Sequence, residues 1–258
     1  MSTNDHTTLI RSCYERIQNI AHKTNLTSHK YGTVENWELF AFITATPKPN
    51  APWIYLSAGV HGDEPAAVLA LIEFWESNQF NDHFNWIICP IINPIGLIHG
   101  TRENGQDIDL NRDYRNPQTI EIKSHTEWLS LKTPKQGFEI SICLHEDWEA
   151  TGPYLYFLSK SEDASLARST LHAMNKILPI DTSEEIDGMA ANQGLILASE
   201  GIEQYREERS DWPEAFFLWP HSRYSMTIET PSGLPMTARI TAHSAALEAI
   251  IQELPSEG

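Results

Sequence analysis

The chain has 258 residues, of which 41% are hydrophobic, and its 18 basic and 35 acidic side chains give a formal net charge of -17. A chain of this size can bury a large apolar core, and we expect residues 1–258 to form a single domain because no repeat, low-complexity tract or linker divides them. The negative charge repels phosphate groups, so nucleic acids and anionic membrane surfaces are not expected as partners.

Hydrophobic periodicity predicts helices that alternate with strands. Residues 6–22 carry apolar side chains at the spacing of an amphipathic helix, and later runs rich in β-branched and aromatic residues are typical of strands. In chain order, the strands are predicted at 37–45, 52–60, 85–92, 138–144, 153–158 and 224–230. Further helices are predicted at 64–77, 118–131, 162–177 and 235–253.

The predicted strands are almost uniformly apolar, which is typical of a parallel sheet that is buried on both faces. We therefore predict an α/β fold with one mostly parallel, mixed central sheet and helices on both of its faces. In such sheets, ligands bind beyond the carboxyl ends of the strands. Polar residues that follow a strand are thus the first candidates for a functional site.

Neither a secretion signal nor a membrane-spanning segment is expected. The opening residues, MSTNDHTTLIRSCYERIQ, lack a basic region followed by an apolar one, and the stretch WIICPIINPIGLI is short and interrupted by proline. Cys13, Cys89 and Cys143 are odd in number and widely spaced, which is typical of reduced thiols in a core. These features predict a cytoplasmic protein.

Ionisable residues follow the strand predicted at 52–60, in the sequence SAGVHGDEP. His61 lies in the turn and Glu64 at the start of the next helix, so both side chains can approach one point beyond the sheet edge. Alternatively, the acidic residues stabilise the positive end of the helix dipole, and His61 is an ordinary turn residue. This pattern alone does not decide between a metal site and a simple helix start.

The strand predicted at 138–144 also ends at a histidine, His145, in the sequence SICLHEDWE. Alone, His145 would be interpreted as a turn residue. Together with His61 and Glu64, it completes the two imidazoles and one carboxylate that can bind a catalytic Zn²⁺, with the fourth position left for water. Such ligands suit zinc better than Mg²⁺ or Ca²⁺. We therefore expect one Zn²⁺ per chain.

A long loop at residues 93–114, NPIGLIHGTRENGQDIDLNRDY, contains Arg102, Asn111 and Arg112. Long loops inside compact domains are usually functional or disordered. The arginines could pair with nearby aspartates at the surface, where such pairs stabilise little. Alternatively, their guanidinium groups and the amide could recognise a substrate carboxylate and polarise a carbonyl, tasks for which the planar arginine fork is suited.

In chain order, HGDEP, NPIG, TREN, DIDLNRDY, CLHED and TIETP resemble the motifs of the zinc carboxypeptidase family, the carboxypeptidase A-like metallopeptidases. The matching segments span about residues 54–233, which is most of the chain. The resemblance implies that the chain is a zinc metallocarboxypeptidase-like catalytic domain. It also implies that His61, Glu64 and His145 are the zinc ligands.

The same resemblance implies roles for residues that surround the metal. Arg102 would polarise the scissile carbonyl, and Asn111 with Arg112 would bind a terminal carboxylate of the substrate. Glu229, in the sequence YSMTIETPSG, would be the general base. Members of the family commonly carry a tyrosine in a mobile loop ahead of this glutamate, and Tyr205 is the best-placed candidate for that tyrosine.

The chain departs from the classical digestive members of the family. The position between the first two ligands, occupied by a basic residue in those members, is Asp63 here. The chain is also shorter than the classical catalytic domain. It is more similar to compact bacterial members such as murein peptide amidases, which cut the γ-D-glutamyl linkage of cell-wall peptides. The resemblance therefore implies a peptide substrate, which includes the cell-wall type.

Two other functions remain open. Deacylases such as succinylglutamate desuccinylase and aspartoacylase share H-x-x-E, DLNR and a late glutamate, but they release an acid from a small N-acyl amino acid. The NPIG and TIETP contexts are more similar to the peptidase branch. A non-catalytic descendant that only binds peptides would usually lack a ligand or the base, whereas His61, Glu64, His145 and Glu229 are all present.

Overall fold

The computed structural model describes residues 3–77, 83–161, 163–197 and 201–255. Within these ranges, the strands are β1 (Leu26–Val34), β2 (Trp37–Thr44), β3 (Trp53–Ala58), β4 (Asn85–Cys89), β5 (Phe138–Asp147), β6 (Tyr154–Ser159), β7 (Glu185–Ile186), β8 (Met189–Ala190), β9 (Leu195–Leu197) and β10 (Ser222–Pro231). The helices are α1 (Thr3–Ala21), α2 (Pro65–Glu76), α3 (Pro94–His99), α4 (Ile120–Lys132), α5 (Ser165–Asn175), α6 (Ile202–Glu208), α7 (Glu214–Leu218) and α8 (Met236–Glu253).

Eight strands form one sheet in the order β1-β2-β4-β3-β5-β10-β6-β9. The pairs β4 with β3, β3 with β5, β5 with β10 and β6 with β9 are parallel, whereas β1 with β2, β2 with β4 and β10 with β6 are antiparallel. The predicted mostly parallel, mixed sheet is therefore confirmed. Because β3, β5 and β10 are adjacent and parallel, their carboxyl ends lie at the same edge of the sheet.

Helices cover both faces of this sheet. Along β3, Ile54 and Leu56 pack on one face with buried residues of α1, α2, α5 and α8, while Trp53 and Tyr55 pack on the other face with residues of α4. Every residue of β3 and β4 is buried, as expected for interior strands with helices on both sides. Within the described ranges, no helix is long and apolar enough to cross a bilayer.

The edge strand β1 was not predicted from the sequence. Its residues, LTSHKYGTV, are mostly polar, and only Leu26 is buried. It pairs antiparallel with β2 through a tight turn in which Glu35 has a positive φ of 52°. Hydrophobicity cannot reveal such a strand, because exposed and charged side chains are what protects an edge from pairing with other molecules.

The prediction that β5 ends before His145 was wrong. β5 continues to Asp147, because its last residues pair in parallel with the end of β10, where His145 lies opposite Glu229. The sequence NPIG was also assigned to a loop, but it begins the short helix α3. Asn93 caps this helix by accepting a hydrogen bond from the Gly96 N–H at 2.8 Å, and Pro94 suits the first helical position.

We expect Trp75→Ala to lower the free energy of unfolding by about 3 to 5 kcal/mol, the usual cost of removing a buried indole. Trp75 is fully buried on α2, and its ring packs edge-on against Phe42 with centroids 4.8 Å apart. Urea unfolding measures the loss. In the control variant Trp148→Ala, the replaced side chain is 76% exposed, so a change within about 0.5 kcal/mol is expected. Equal losses in both variants would contradict this packing.

Candidate metal centre and active site

Two imidazoles and a carboxylate meet at the carboxyl edge of the sheet. His61 follows β3, Glu64 directly precedes α2, and His145 lies in the neighbouring strand β5. The Glu64 oxygens lie 2.5 Å from Nδ1 of His61 and 2.9 Å from Nδ1 of His145. One ligand atom from each residue lies within 4.8 Å of the other two. The structure thus brings together the three predicted metal ligands.

The chemistry of this cluster fits a divalent metal ion. All three side chains are buried, and two imidazole nitrogens with a carboxylate are a donor set that zinc prefers. Burial acts to lower the pKa of His61, but the Glu64 and Asp109 carboxylates outweigh it and raise this pKa to about 9. Burial acts to raise the pKa of Glu64, yet the two imidazoles hold it well below its usual range. The cluster therefore favours positive charge.

Asp109 orients His61, a role that the sequence analysis did not assign. The Nε2–H group of His61 donates to Asp109 Oδ1 at 3.1 Å, which leaves Nδ1 directed at Glu64. The other oxygen of Asp109 accepts a hydrogen bond from Nε of Arg102 at 3.0 Å. Carboxylates that bind the far nitrogen of a ligand histidine fix its orientation and strengthen metal binding. The sequence indicated only that Asp109 lies in the same loop as the arginines, which does not show that it contacts His61.

Arg102 lies beside the cluster. Its Nη1 is 3.8 Å from Glu64 Oε1, and its side chain lines the same cavity as the three ligands. Arg102 therefore pairs with an aspartate, which was one interpretation made from the sequence, and it also faces the candidate metal centre. It is placed to donate to an oxygen that binds near the metal.

Asn111 and Arg112 line the same cavity and are held by the segment 211–214. The Asn111 side-chain oxygen accepts the main-chain N–H of Glu214 at 2.8 Å, which leaves the amide NH₂ as the donor for a ligand. Nη1 of Arg112 donates to the Asn111 carbonyl at 2.9 Å, and its Nε lies 3.3 Å from Asp211 Oδ2. Both side chains are therefore pre-oriented before a ligand binds.

A buried carboxylate anchors that segment to the sheet. Glu214 is buried and accepts hydrogen bonds from the hydroxyl groups of Tyr55, at 2.5 Å, and Ser57, at 2.9 Å. Burial raises its pKa, against the opposing effect of these hydrogen bonds. Sequence reasoning missed Glu214, because its partners Tyr55 and Ser57 lie far away in the chain.

Glu229 faces the metal cluster from the third parallel strand, β10. It is 8% exposed, and its Oε2 atom has no hydrogen-bond partner among the described residues. Burial raises its pKa to about 8, and the negative charges of Glu64 and Asp147 add to this effect, while His145 opposes it. A buried carboxylate oxygen without a partner is rare and calls for a functional explanation.

Tyr205 lies at the rim of the same cavity, which has a volume of about 480 Å³. It belongs to α6 and is 41% exposed. Its hydroxyl accepts a hydrogen bond from Nη1 of Arg209 at 2.8 Å, and Nη2 of Arg209 binds Asp211 at 2.9 Å. Arg209 is a cavity residue that the sequence analysis missed, although its position one helical turn after Tyr205 placed it on the same side.

We expect Asp109→Asn to weaken Zn²⁺ binding about tenfold, because the variant loses the negative charge that holds His61 in its ligand orientation. Competition with a chromophoric chelator measures the dissociation constant. Asp107→Asn is the matched control, since Asp107 is exposed in the same loop, and it should leave the constant within about twofold. Unchanged affinity in Asp109→Asn would remove this role of Asp109.

The family model for the succinylglutamate desuccinylase/aspartoacylase catalytic domain matches residues 50–181, which are 132 of the 258 residues of the chain. This segment contains all three candidate metal ligands. It is the family that the sequence analysis named as an alternative to the peptidase branch. No curated protein matches the chain.

Solved structures share the fold over almost the whole chain. A candidate metallopeptidase from Shewanella amazonensis SB2B is 23% identical, with a TM-score of 0.84 over 96% of this chain and 94% of that one. A metallo-carboxypeptidase from Burkholderia cenocepacia is 16% identical, with a TM-score of 0.66 over 92% of this chain and 67% of that one. Bovine thrombin-activatable fibrinolysis inhibitor is also 16% identical, with a TM-score of 0.63 over 98% of this chain and 96% of that one.

The structural likenesses establish the carboxypeptidase-like fold, and the family model covers more than half of the chain, including the metal cluster. The chain therefore belongs to the succinylglutamate desuccinylase/aspartoacylase family of hydrolases, within the zinc carboxypeptidase-like superfamily.

Proposed function

We propose that the protein is a zinc-dependent hydrolase that cleaves an amide bond next to a carboxylate-bearing residue, with one Zn²⁺ per chain held by His61, Glu64 and His145. The observation that carries this proposal is the buried Oε2 atom of Glu229, which lines the same cavity as the three ligands and has no hydrogen-bond partner in the described part of the chain. A carboxylate in this position can take a proton from a water molecule that attacks a carbonyl.

A zinc ion at this site would supply Lewis-acid chemistry that activates water at neutral pH and polarises a carbonyl. Glu229, whose pKa a cation held by the three neighbouring ligands would lower, accepts the proton of the attacking water at Oε2 and returns it to the nitrogen of the leaving amine. Arg102 donates to the carbonyl oxygen as this atom gains negative charge. One water is consumed, the amide C–N bond breaks, and a carboxylic acid and an amine are released.

Asn111 and Arg112 bind the free carboxylate of the substrate in this proposal. The amide NH₂ of Asn111 and the outer nitrogens of Arg112 supply donors at one end of the cavity, and charge-assisted hydrogen bonds of this kind are short and strong. A requirement for a carboxylate makes the enzyme exo-acting. Tyr205, at the cavity rim, would close over the bound substrate.

A peptide is the substrate that we propose first, and the cell-wall type is included. The cavity of about 480 Å³ falls within the range of pockets that enclose drug-sized ligands. Aromatic side chains also line it, among them Tyr154, Tyr156 and the exposed Trp148. This volume supports a group larger than a small acyl chain on the other side of the scissile bond.

A small N-acyl amino acid is the second candidate substrate. The family match supports it, because the matched model is that of a deacylase catalytic domain. Three arginines, Arg102, Arg112 and Arg209, line the cavity, which would suit a substrate with more than one carboxylate. In both candidates the scissile bond is an amide and the residue on its amine side carries a free carboxylate.

We expect Glu229→Gln to bind one Zn²⁺ per chain, as the wild type does, but to lose turnover by about 10² to 10⁴-fold, because the amide cannot accept the proton. Elemental analysis measures the metal, and release of the amine product measures the rate. Glu149→Gln is the control, since Glu149 is an exposed carboxylate that lines the same cavity, and it should retain its activity. Near-normal turnover by Glu229→Gln would exclude Glu229 as the base.

A panel of substrates distinguishes the two classes. It contains peptides with a free C-terminus, the same peptides with a C-terminal amide, and N-acetyl and N-succinyl amino acids. We expect cleavage only of compounds with a free carboxylate.

Arg112→Gln should raise KM about 10 to 100-fold, since a hydrogen bond to a charged group contributes about 1.5 to 3 kcal/mol.

Arg115→Gln is the control for Arg112→Gln. Arg115 is a neighbouring arginine that donates to the Glu207 carbonyl at 2.9 Å, and its loss should leave KM within about twofold. Equal cleavage of free and amidated peptides would contradict the role of Arg112. Cleavage of N-acyl amino acids alone would favour the deacylase.

A further inference from the structure

Glu146 connects three elements around the metal cluster without touching the cluster itself. It follows His145 in β5, is 4% exposed, and accepts the main-chain N–H of Ala66 in α2 through Oε1 at 2.7 Å. Its other oxygen pairs with Nη1 of Arg239, a residue of α8 that is 8% exposed. Arg239 is itself held by a hydrogen bond from Nε to the Leu234 carbonyl at 2.8 Å.

The first turn of α2 explains why an outside acceptor is needed. The first N–H groups of a helix have no partner within the helix, and the residue before it normally supplies one through its side chain. That residue is Glu64, which forms no capping hydrogen bond because both of its oxygens face the two histidines. Pro65 has no N–H group, so Ala66 carries the first donor that needs an acceptor.

Glu146 therefore performs for α2 the task that Glu64 would otherwise perform. Its carboxylate accepts the orphan N–H and places a negative charge at the positive end of the helix dipole. It also joins the two elements that carry ligands, since Ala66 lies two residues after Glu64 and Glu146 lies one residue after His145. The separation of these two ligands is thus restrained by one side chain.

We propose that Glu146 is a positioning residue of the metal centre: it caps α2 in place of Glu64, so that the Glu64 carboxylate is free to bind the metal, and Arg239 holds it there. This inference rests on the proposed metal site. It assigns a function to a buried ion pair that the proposed reaction does not use.

The test is the dissociation constant for Zn²⁺, measured by chelator competition, together with the melting temperature of the metal-free protein. Glu146→Met should bind Zn²⁺ about 10 to 100-fold more weakly than the wild type, because methionine cannot accept the Ala66 N–H and a group that supports a metal ligand is lost. Glu121→Met is the matched control. Glu121 is another buried glutamate, hydrogen-bonded to Asn104 at 3.1 Å, and its replacement should leave the constant within about twofold.

A double variant, Glu146→Met with Arg239→Met, separates positioning from simple charge balance. Replacing both members of a buried ion pair by apolar side chains often preserves stability, whereas removing one member does not. We expect the double variant to melt at a higher temperature than the single variant Glu146→Met, and yet to bind Zn²⁺ about 10 to 100-fold more weakly than the wild type, because the Ala66 N–H still has no acceptor.

Each outcome has a separate meaning. Wild-type affinity in the double variant, or in Glu146→Met, would overturn the positioning role while leaving the proposed function intact. Failure of the wild type itself to bind Zn²⁺ would overturn the metal site and this inference with it. If Glu146→Met does not fold, the double variant decides the matter by the same two measurements.

Discussion

The site depends on one arrangement, the buried Glu64 carboxylate between two imidazoles. Removing a carboxylate from water costs several kcal/mol unless opposite charge and hydrogen bonds compensate for it. Two adjacent parallel strands satisfy this condition, because β3 leads to His61 and β5 carries His145 to the same sheet edge, where the parallel strand β10 adds Glu229. His145 is part of β5, and His61 and Glu64 lie in the short connection between β3 and α2, so packed elements fix the ligand separations.

Two of the three ligands are restrained by polar groups outside the cluster. Asp109 holds the far nitrogen of His61, and it is itself held by Arg102. Glu146 accepts the Ala66 N–H at the start of α2, next to Glu64, and Arg239 forms an ion pair with Glu146. A similar contact restrains Asn111 at the proposed substrate site. The Glu214 carboxylate binds the Tyr55 hydroxyl, and the Glu214 main-chain N–H donates to Asn111. Buried polar networks of this kind rigidify a site when every member has a hydrogen-bond partner. Glu229 Oε2 differs, because no residue within the described ranges is its partner.

Charged side chains of both signs line the cavity, and they form two groups of contacts. Arg112 and Arg209 both contact Asp211, whereas Tyr154 and Tyr156 donate to the carboxylates of Asp147 and Asp187. A carboxylate is attracted to the arginines and repelled by the second group. In the proposed reaction, a substrate with a carboxylate on the amine side of the scissile bond matches this polarity, whether it is a peptide or an N-acyl amino acid.

The sequence by itself determined the five longest of the described helices, six strands of the large sheet, the candidate ligands and the resemblance to the superfamily, because these depend on local periodicity and on short motifs. It did not reveal β1, whose polar residues become a strand only by pairing with β2, or the extension of β5 past His145, which β10 supports. It also did not reveal the roles of Asp109, Glu146 and Glu214. Only the tertiary structure decided these, because their partners lie far away in the chain: 48 positions separate His61 from Asp109, and 80 separate Ala66 from Glu146. Hydrogen bonds over such separations depend on strand order and register, which no local pattern encodes.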